Sequence, residues 1–156
     1  MNFRVNFLFL VSLTGLLVSC GGGPAETLRV KQFHLRDTQI ADKEAAQVRG
    51  EQLYRLSKAV TVEQRKARLG HYYTVFWNTP EAASGNAKII FEYQQATSAS
   101  KVLTAEHQIS HGEVTGSVEF PIVDKAYQQG GNVLAWRVRL MSGGRVLAVK
   151  RSYLWK

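Results

Sequence analysis

The segment from Asn132 to Trp155, "NVLAWRVRLMSGGRVLAVKRSYLW", constrains the fold more than any other stretch of the chain. Two runs of alternating apolar and polar residues flank Gly143-Gly144, and paired glycines tolerate the positive φ angles of a two-residue hairpin turn. The first run sets Leu134, Trp136, Val138 and Leu140 against Ala135, Arg137 and Arg139. Pairing across the glycines predicts Leu140 opposite Leu147 and Val138 opposite Val149. The same count sets Trp136 opposite Arg151, which requires an arginine stem laid on the indole or a bulge that shifts the register.

Further strands precede this hairpin. "HYYTVFWN" places Tyr73, Val75 and Trp77 on one face and Tyr72 and Phe76 on the other. "AKIIFEYQQA" points Ile89, Phe91 and Tyr93 inward, and "KVLTAEHQI" follows as a weaker strand. "GEVTGSVEFPI" alternates Val114, Gly116, Val118 and Phe120 with Thr115, Ser117 and Glu119, while "PEAASGN" reads as a loop. "TLRVKQFHLRD" is a candidate first strand. Six or seven short strands with turn signals between them predict a mainly β chain, an antiparallel sandwich.

The stretch between the first strand and Tyr72 is helix-like. "ADKEAAQVRGEQLYRLSKAV" has Asp42 as a cap and Ala45, Val48, Gln52 and Leu56 on a shared face. Gly50 costs up to about 1 kcal/mol relative to alanine, so the helix either runs through it or breaks and leaves "EQLYRLSKAV" extended. In "TVEQRKARLG", Thr61 and Gln64 form a capping-box pattern and Gly70 stands at a C-terminal cap position, which predicts a helix over residues 62–69 with His71 supporting its end. Aromatic residues on both faces of one strand predict that this helical segment covers the Tyr72 and Phe76 side. A pocket lined by Leu56, Tyr72 and Phe76 follows as a candidate ligand site.

The N-terminus has a different character. Met1 to Asn6 carries one basic residue, Arg4, and Phe7 to Val18 is a run of 12 residues without charge. As a helix that run is about 18 Å long, short of the roughly 30 Å needed to span a bilayer. A basic start, a short apolar middle and small residues at the end read as a secretory signal. Its last residues, Leu17-Val18-Ser19-Cys20, resemble the lipobox of bacterial lipoproteins. That resemblance implies a signal peptide over residues 1–19 and a mature chain that begins at Cys20, with a diacylglyceryl group on its sulfur and a further acyl chain, such as palmitate, on its amine. It also implies attachment to the cell envelope, with Gly21 after the cysteine favouring the outer membrane. A plain signal peptide with an incidental thiol is the competing reading, but exported proteins that use cysteine for stability normally carry an even number, and this chain has 1. Residues 20–26 would form a glycine-rich tether. Residues 27–156 are then a single domain, a strand plus helical segment over 27–70 and a sandwich over 71–156. Its composition and paired C-terminal strands resemble immunoglobulin or fibronectin type III modules in architecture, a likeness that carries no function.

The mature 137 residues hold 19 basic and 12 acidic side chains, a net of +7. Seven of the basic residues lie from Lys125 onward with no acid among them. They form either a solvated sheet face or a contact surface for an anionic envelope component, with Arg137, Arg139 and Lys150 as its candidates. Nucleic acid is not an expected partner of an exported domain.

Nothing in the sequence assembles a catalytic set, since no Gly-x-Ser-x-Gly, His-Glu-x-x-His, phosphate loop or Cys-x-x-Cys is present. Glu106, His107, His111 and Glu113 are the nearest approach to a metal site, but on a strand the two histidines lie about 13 Å apart. No metal and no cofactor is expected, and no enzymatic role. The leading expectation is a non-enzymatic, lipid-anchored interaction module; the alternative is a carrier of a small apolar or glycan ligand between helical segment and sheet.

Overall fold

The computed structural model describes residues 26–37, 45–98 and 100–156. The expected signal segment, Cys20 and the expected cap Asp42 lie outside them. Seven strands form two antiparallel sheets: β1 (Leu28–Leu35), β2 (Gly70–Asn78) and β5 (Thr115–Val123) in the order β1-β2-β5, and β3 (Ala87–Gln95), β4 (Leu103–Gln108), β6 (Val133–Ser142) and β7 (Arg145–Arg151) in the order β4-β3-β6-β7. Three helices accompany them: α1 (Ala46–Leu56), α2 (Val62–Arg68) and α3 (Asp124–Gly130).

The inward rows of the two sheets share one core. Leu28, Tyr73, Val75, Trp77, Phe120 and Ile122 meet Ile89, Phe91, Val138 and Leu140, with Val75, Ile89, Phe91, Val138 and Leu140 wholly enclosed. Alternation in the sequence selects these rows, because a strand buries every second residue. Gly116 is fixed by this packing: a Cβ there would stand 2.3 Å from the Trp77 ring, so only glycine lets the indole lie against β5.

Several expectations require correction. The hairpin forms at Gly143-Gly144, both at positive φ, but a bulge between Leu140 and Met141 shifts the register by one. Leu140 therefore faces Ala148, Val138 faces Lys150, and Arg151 pairs with Arg137 instead of Trp136. α1 runs through Gly50 and ends at Leu56, and the residues it buries are Gln52 and Arg55, not Val48. Polar anchoring to the sheet outweighs the glycine's entropic cost. α2 has the predicted capping box of Thr61 and Gln64, but Gly70 opens β2 instead of capping the helix. Its φ of +142° and a virtual Cβ only 2.2 Å from the Ile122 carbonyl oxygen explain why glycine starts that strand. The "PEAASGN" loop contains a 3₁₀ turn over Pro80–Ser84, and α3, which the sequence reading lacked, follows β5 directly.

α1 lies over the outer face of the β1-β2-β5 sheet, held chiefly by Arg55, with Lys31 of β1 paired to Glu51 at 3.2 Å beside it. Arg55, only 8% exposed in its side chain, forms paired bonds to Glu119 of β5 at 2.7 and 3.2 Å. It also pairs with Glu51 one turn earlier at 2.7 Å and stacks 3.6 Å above the Tyr72 ring. The Tyr72 hydroxyl donates to the Arg68 carbonyl oxygen, which ties α2 to the same spot. Phe76 is covered differently, by the Arg29 guanidinium of β1 at 4.1 Å. The helical cover therefore reaches Tyr72.

Candidate functional site

Towards one end of the sandwich the inward rows run out of aliphatic residues. Along β1 the row reads Leu28, Val30, Gln32, His34; along β2, in the same direction, Trp77, Val75, Tyr73, His71; along β6, Leu140, Val138, Trp136. The packed core gives way there to a cleft of about 530 Å³ walled by Tyr73, Trp136 and His71. It adjoins a second hollow over His34, His71, Tyr127 and Asn132. Mouths of β-folds are a recurrent setting for ligand sites.

One wall is a histidine pair. His34 and His71 face each other across the β1–β2 ladder and stack with ring centroids 3.9 Å apart. The His34 Nε2 lies 2.9 Å from the Tyr127 hydroxyl, supplied by α3, and Arg36 Nε donates to His34 Nδ1 at 3.2 Å. The bonding pattern assigns His34 as the neutral Nε2–H tautomer: Nδ1 accepts from Arg36 while Nε2–H donates to Tyr127. Tyr127 then donates to Asn132 Oδ1, which also accepts from His71 Nε2, both at 3.4 Å. Burial, the neighbouring imidazole and Arg36 lower His34 to about 4, and burial lowers His71 as well. At neutral pH the pair is an uncharged, flat surface.

The opposite wall joins the sheets. Trp136 Nε1 donates to Gln32 Oε1 at 3.0 Å, and its ring packs 5.7 Å from Tyr73. Trp136 N–H donates to the Ser152 hydroxyl and Ser152 N–H donates to the Trp136 carbonyl oxygen, which holds the chain after β7 beside it. Leu134, Tyr153 and Leu154 form an exposed apolar rim at 52%, 100% and 63%. Tyr153 is fully open to solvent, whereas Trp155 is buried beneath Arg137. The cleft thus combines stackable rings, amide and imidazole hydrogen-bonding groups, and one cation at its edge, Arg36.

The structure separates the residues singled out from the sequence. Arg137 and Arg139 lie side by side on the outer face of the second sheet, where both grip Glu92 through paired bonds of 2.7 to 3.2 Å. Lys150 pairs with Glu26. Of Leu56, Tyr72 and Phe76, only Tyr72 lines a hollow, a notch of about 320 Å³ that it shares with Tyr54, Arg55 and Lys58. His107 sits in β4 beside the Trp77 ring and His111 in the turn near Gly85, and the described residues contain no group of three or more His, Cys, Asp or Glu able to hold a metal ion. No family model, curated protein or solved structure matches this chain. The cleft must be read from its own chemistry.

Sequence reasoning missed His34 and His71 because each alone is one histidine in a strand. The cross-strand register that makes them a pair depends on bringing together residues separated by two helices.

Proposed function

We propose that this chain is a lipid-anchored cell-envelope protein, an immunoglobulin-like module that binds a ligand non-catalytically in the cleft at the His34 end of its sandwich. The single observation that carries the reading is that cleft. Its walls are aromatic faces and neutral hydrogen-bonding groups, the set that suits a ring with one apolar face and a polar edge. A sugar residue of an envelope glycan has that character, and so does a small apolar ring bearing a polar substituent. The lipobox-like Leu17-Val18-Ser19-Cys20 supports the anchor, with two or three acyl chains giving durable attachment.

The strand order supports the immunoglobulin-like assignment. Constant-type immunoglobulin domains place their first, second, fifth and fourth strands in one sheet and the third, sixth and seventh in the other. This chain keeps the 1-2-5 and 3-6-7 sets and carries the fourth strand to the edge of the second sheet.

The basic hairpin, with Arg137, Arg139 and Lys150, is the second candidate surface, for an anionic envelope component. Glu92 and Glu26 already neutralise part of it, which favours the cleft. Thermal melting with soluble fragments of envelope glycans tests the proposal. A ligand that raises the melting temperature should lose its effect in Tyr153→Ala and Leu134→Ser, exposed changes that leave unliganded stability within about 0.5 kcal/mol. A response unchanged in both variants would move the ligand elsewhere. Intact mass of the membrane-extracted protein reads the anchor separately, and an unmodified Cys20 thiol would remove it.

A further inference from the structure

We infer that the C-terminal end of α1 and the turn into α2 form a docking surface for an anionic lipid bilayer. This surface lies on the outer face of the first sheet, away from the cleft, and needs no acyl group on Cys20.

Among the described residues 12 large apolar side chains are exposed, and five of them, Val48, Leu53, Tyr54, Val60 and Val62, fall within residues 48–62. Val60 and Tyr54 are 85% and 76% exposed. Three of the other seven rim the cleft, so apolar exposure in this molecule is concentrated and not scattered. Leu53 and Tyr54 close α1 and Val60 and Val62 flank the turn into α2, so this exposure gathers at the end of α1, and gathered apolar exposure marks a site of interaction.

Charge then selects the partner. Residues 45–69 carry Arg49, Arg55, Lys58, Arg65, Lys66 and Arg68 against only Glu51 and Glu63. Arg55 is committed to Glu51 and Glu119. Lys58, Arg65, Lys66 and Arg68 form no salt bridge among the described residues. Tyr54, Lys58 and Arg68 line the same notch, so the ends of α1 and α2 present one continuous surface. Apolar side chains at a helix end, an amphipathic tyrosine and several unpaired cations together match the boundary between headgroups and acyl chains. A second copy of this chain is a poorer occupant, because it would set these cations against their own kind.

The test uses the full chain with Cys20→Ser, which removes the single native thiol. Val60→Cys then carries a polarity-sensitive fluorophore, and Thr104→Cys, an exposed position on β4 of the opposite sheet, carries it as the reference. Any lipid affinity of the N-terminal segment is common to both. On vesicles of phosphatidylglycerol mixed with phosphatidylcholine, the label at position 60 should shift to the blue and the label at 104 should not. Phosphatidylcholine alone should give no shift. Lys58→Glu, checked for an unchanged melting temperature, should raise the lipid required by about tenfold. No shift at position 60, or equal shifts at 60 and 104, would overturn the proposal. So would a shift that survives charge reversal, or one that grows with protein concentration in the absence of vesicles, which would assign the face to self-association.

Discussion

The outer faces of the two sheets solve the same problem with the same residue types and opposite geometry. On the first, one arginine, Arg55, meets two carboxylates, Glu119 and Glu51, beneath a helix. On the second, one carboxylate, Glu92, meets two arginines, Arg137 and Arg139, with Trp155 of the C-terminal tail against Arg137. The side chain at the centre of each cluster is well shielded, at 8% exposure for Arg55 and 11% for Glu92. The difference lies in what surrounds it. Arg55 is the main polar link between a helix and a sheet, so its loss releases an element. Glu92 links neighbouring strands already joined by backbone bonds, so its loss perturbs a surface. Charge pairing contributes most where it is also the hinge of tertiary structure.

Arg55→Met gives the strongest test of this contrast. It removes the paired bonds to Glu119 and the stacking on Tyr72 and leaves Glu51 with Lys31 alone, and it should cost about 3 kcal/mol in urea unfolding. Hydrogen exchange over residues 46–56 should rise well before that of the sheets. Loss of stability without selective exposure of α1 would break the comparison. Glu92→Gln should cost about 2 kcal/mol, because two guanidinium groups then face each other without a counter-charge. Arg137 first, then Arg139, holds the Glu92 carboxyl below its ordinary value of 4.5. Its contribution is therefore present above that value and lost as pH falls below it, and the variant should flatten this acid limb.

Phe76→Ala probes the part of the first face that lies under Arg29 and not under the helix. About 1–2 kcal/mol is expected for this half-buried ring, with α1 exchange unchanged. The cleft supplies the smallest effect and a separate pH window. His34 sits near 4 when folded against 6.5 when free, so the unfolded chain binds more protons between those values. Stability is full above 6.5 and declines as pH falls towards 4, by about 1 kcal/mol once solvent screening is allowed for. His34→Gln should shrink this upper limb, leaving the part that His71, also lowered by burial, contributes and the limb belonging to Glu92.

Much of the sandwich was legible because alternation is a local property. β2, β3 and the Val138 and Leu140 part of β6 announce their buried rows, whereas Leu134, expected on the inward row, is 52% exposed; Thr61 with Gln64 announces the start of α2. What escaped depends on distant partners. The bulge at Leu140 and Met141 was signalled only by the clash of Trp136 with Arg151, which an arginine stem laid on the indole would equally relieve, so a correct turn was joined to a register one residue out. α1 buries Arg55 beside Gln52, and a search for an apolar stripe passes over an arginine. α3 has only seven residues, too few for a helical period to show, although Gly130-Gly131 marks its end. The cleft needed both the β1–β2 register and α3, which is why its histidines read as ordinary ones.

β7 is the last strand of its sheet, and among the described residues its free side pairs with no other strand. Such an edge can template addition of a foreign strand and growth into fibres. Here it carries Arg145, Lys150 and Arg151 and begins beside a bulge, both of which discourage edge-to-edge assembly. The acid-free stretch at the C-terminus therefore has a protective role whatever it touches: it keeps Val146 and Val149, both 46% exposed, from becoming the seed of an aggregate.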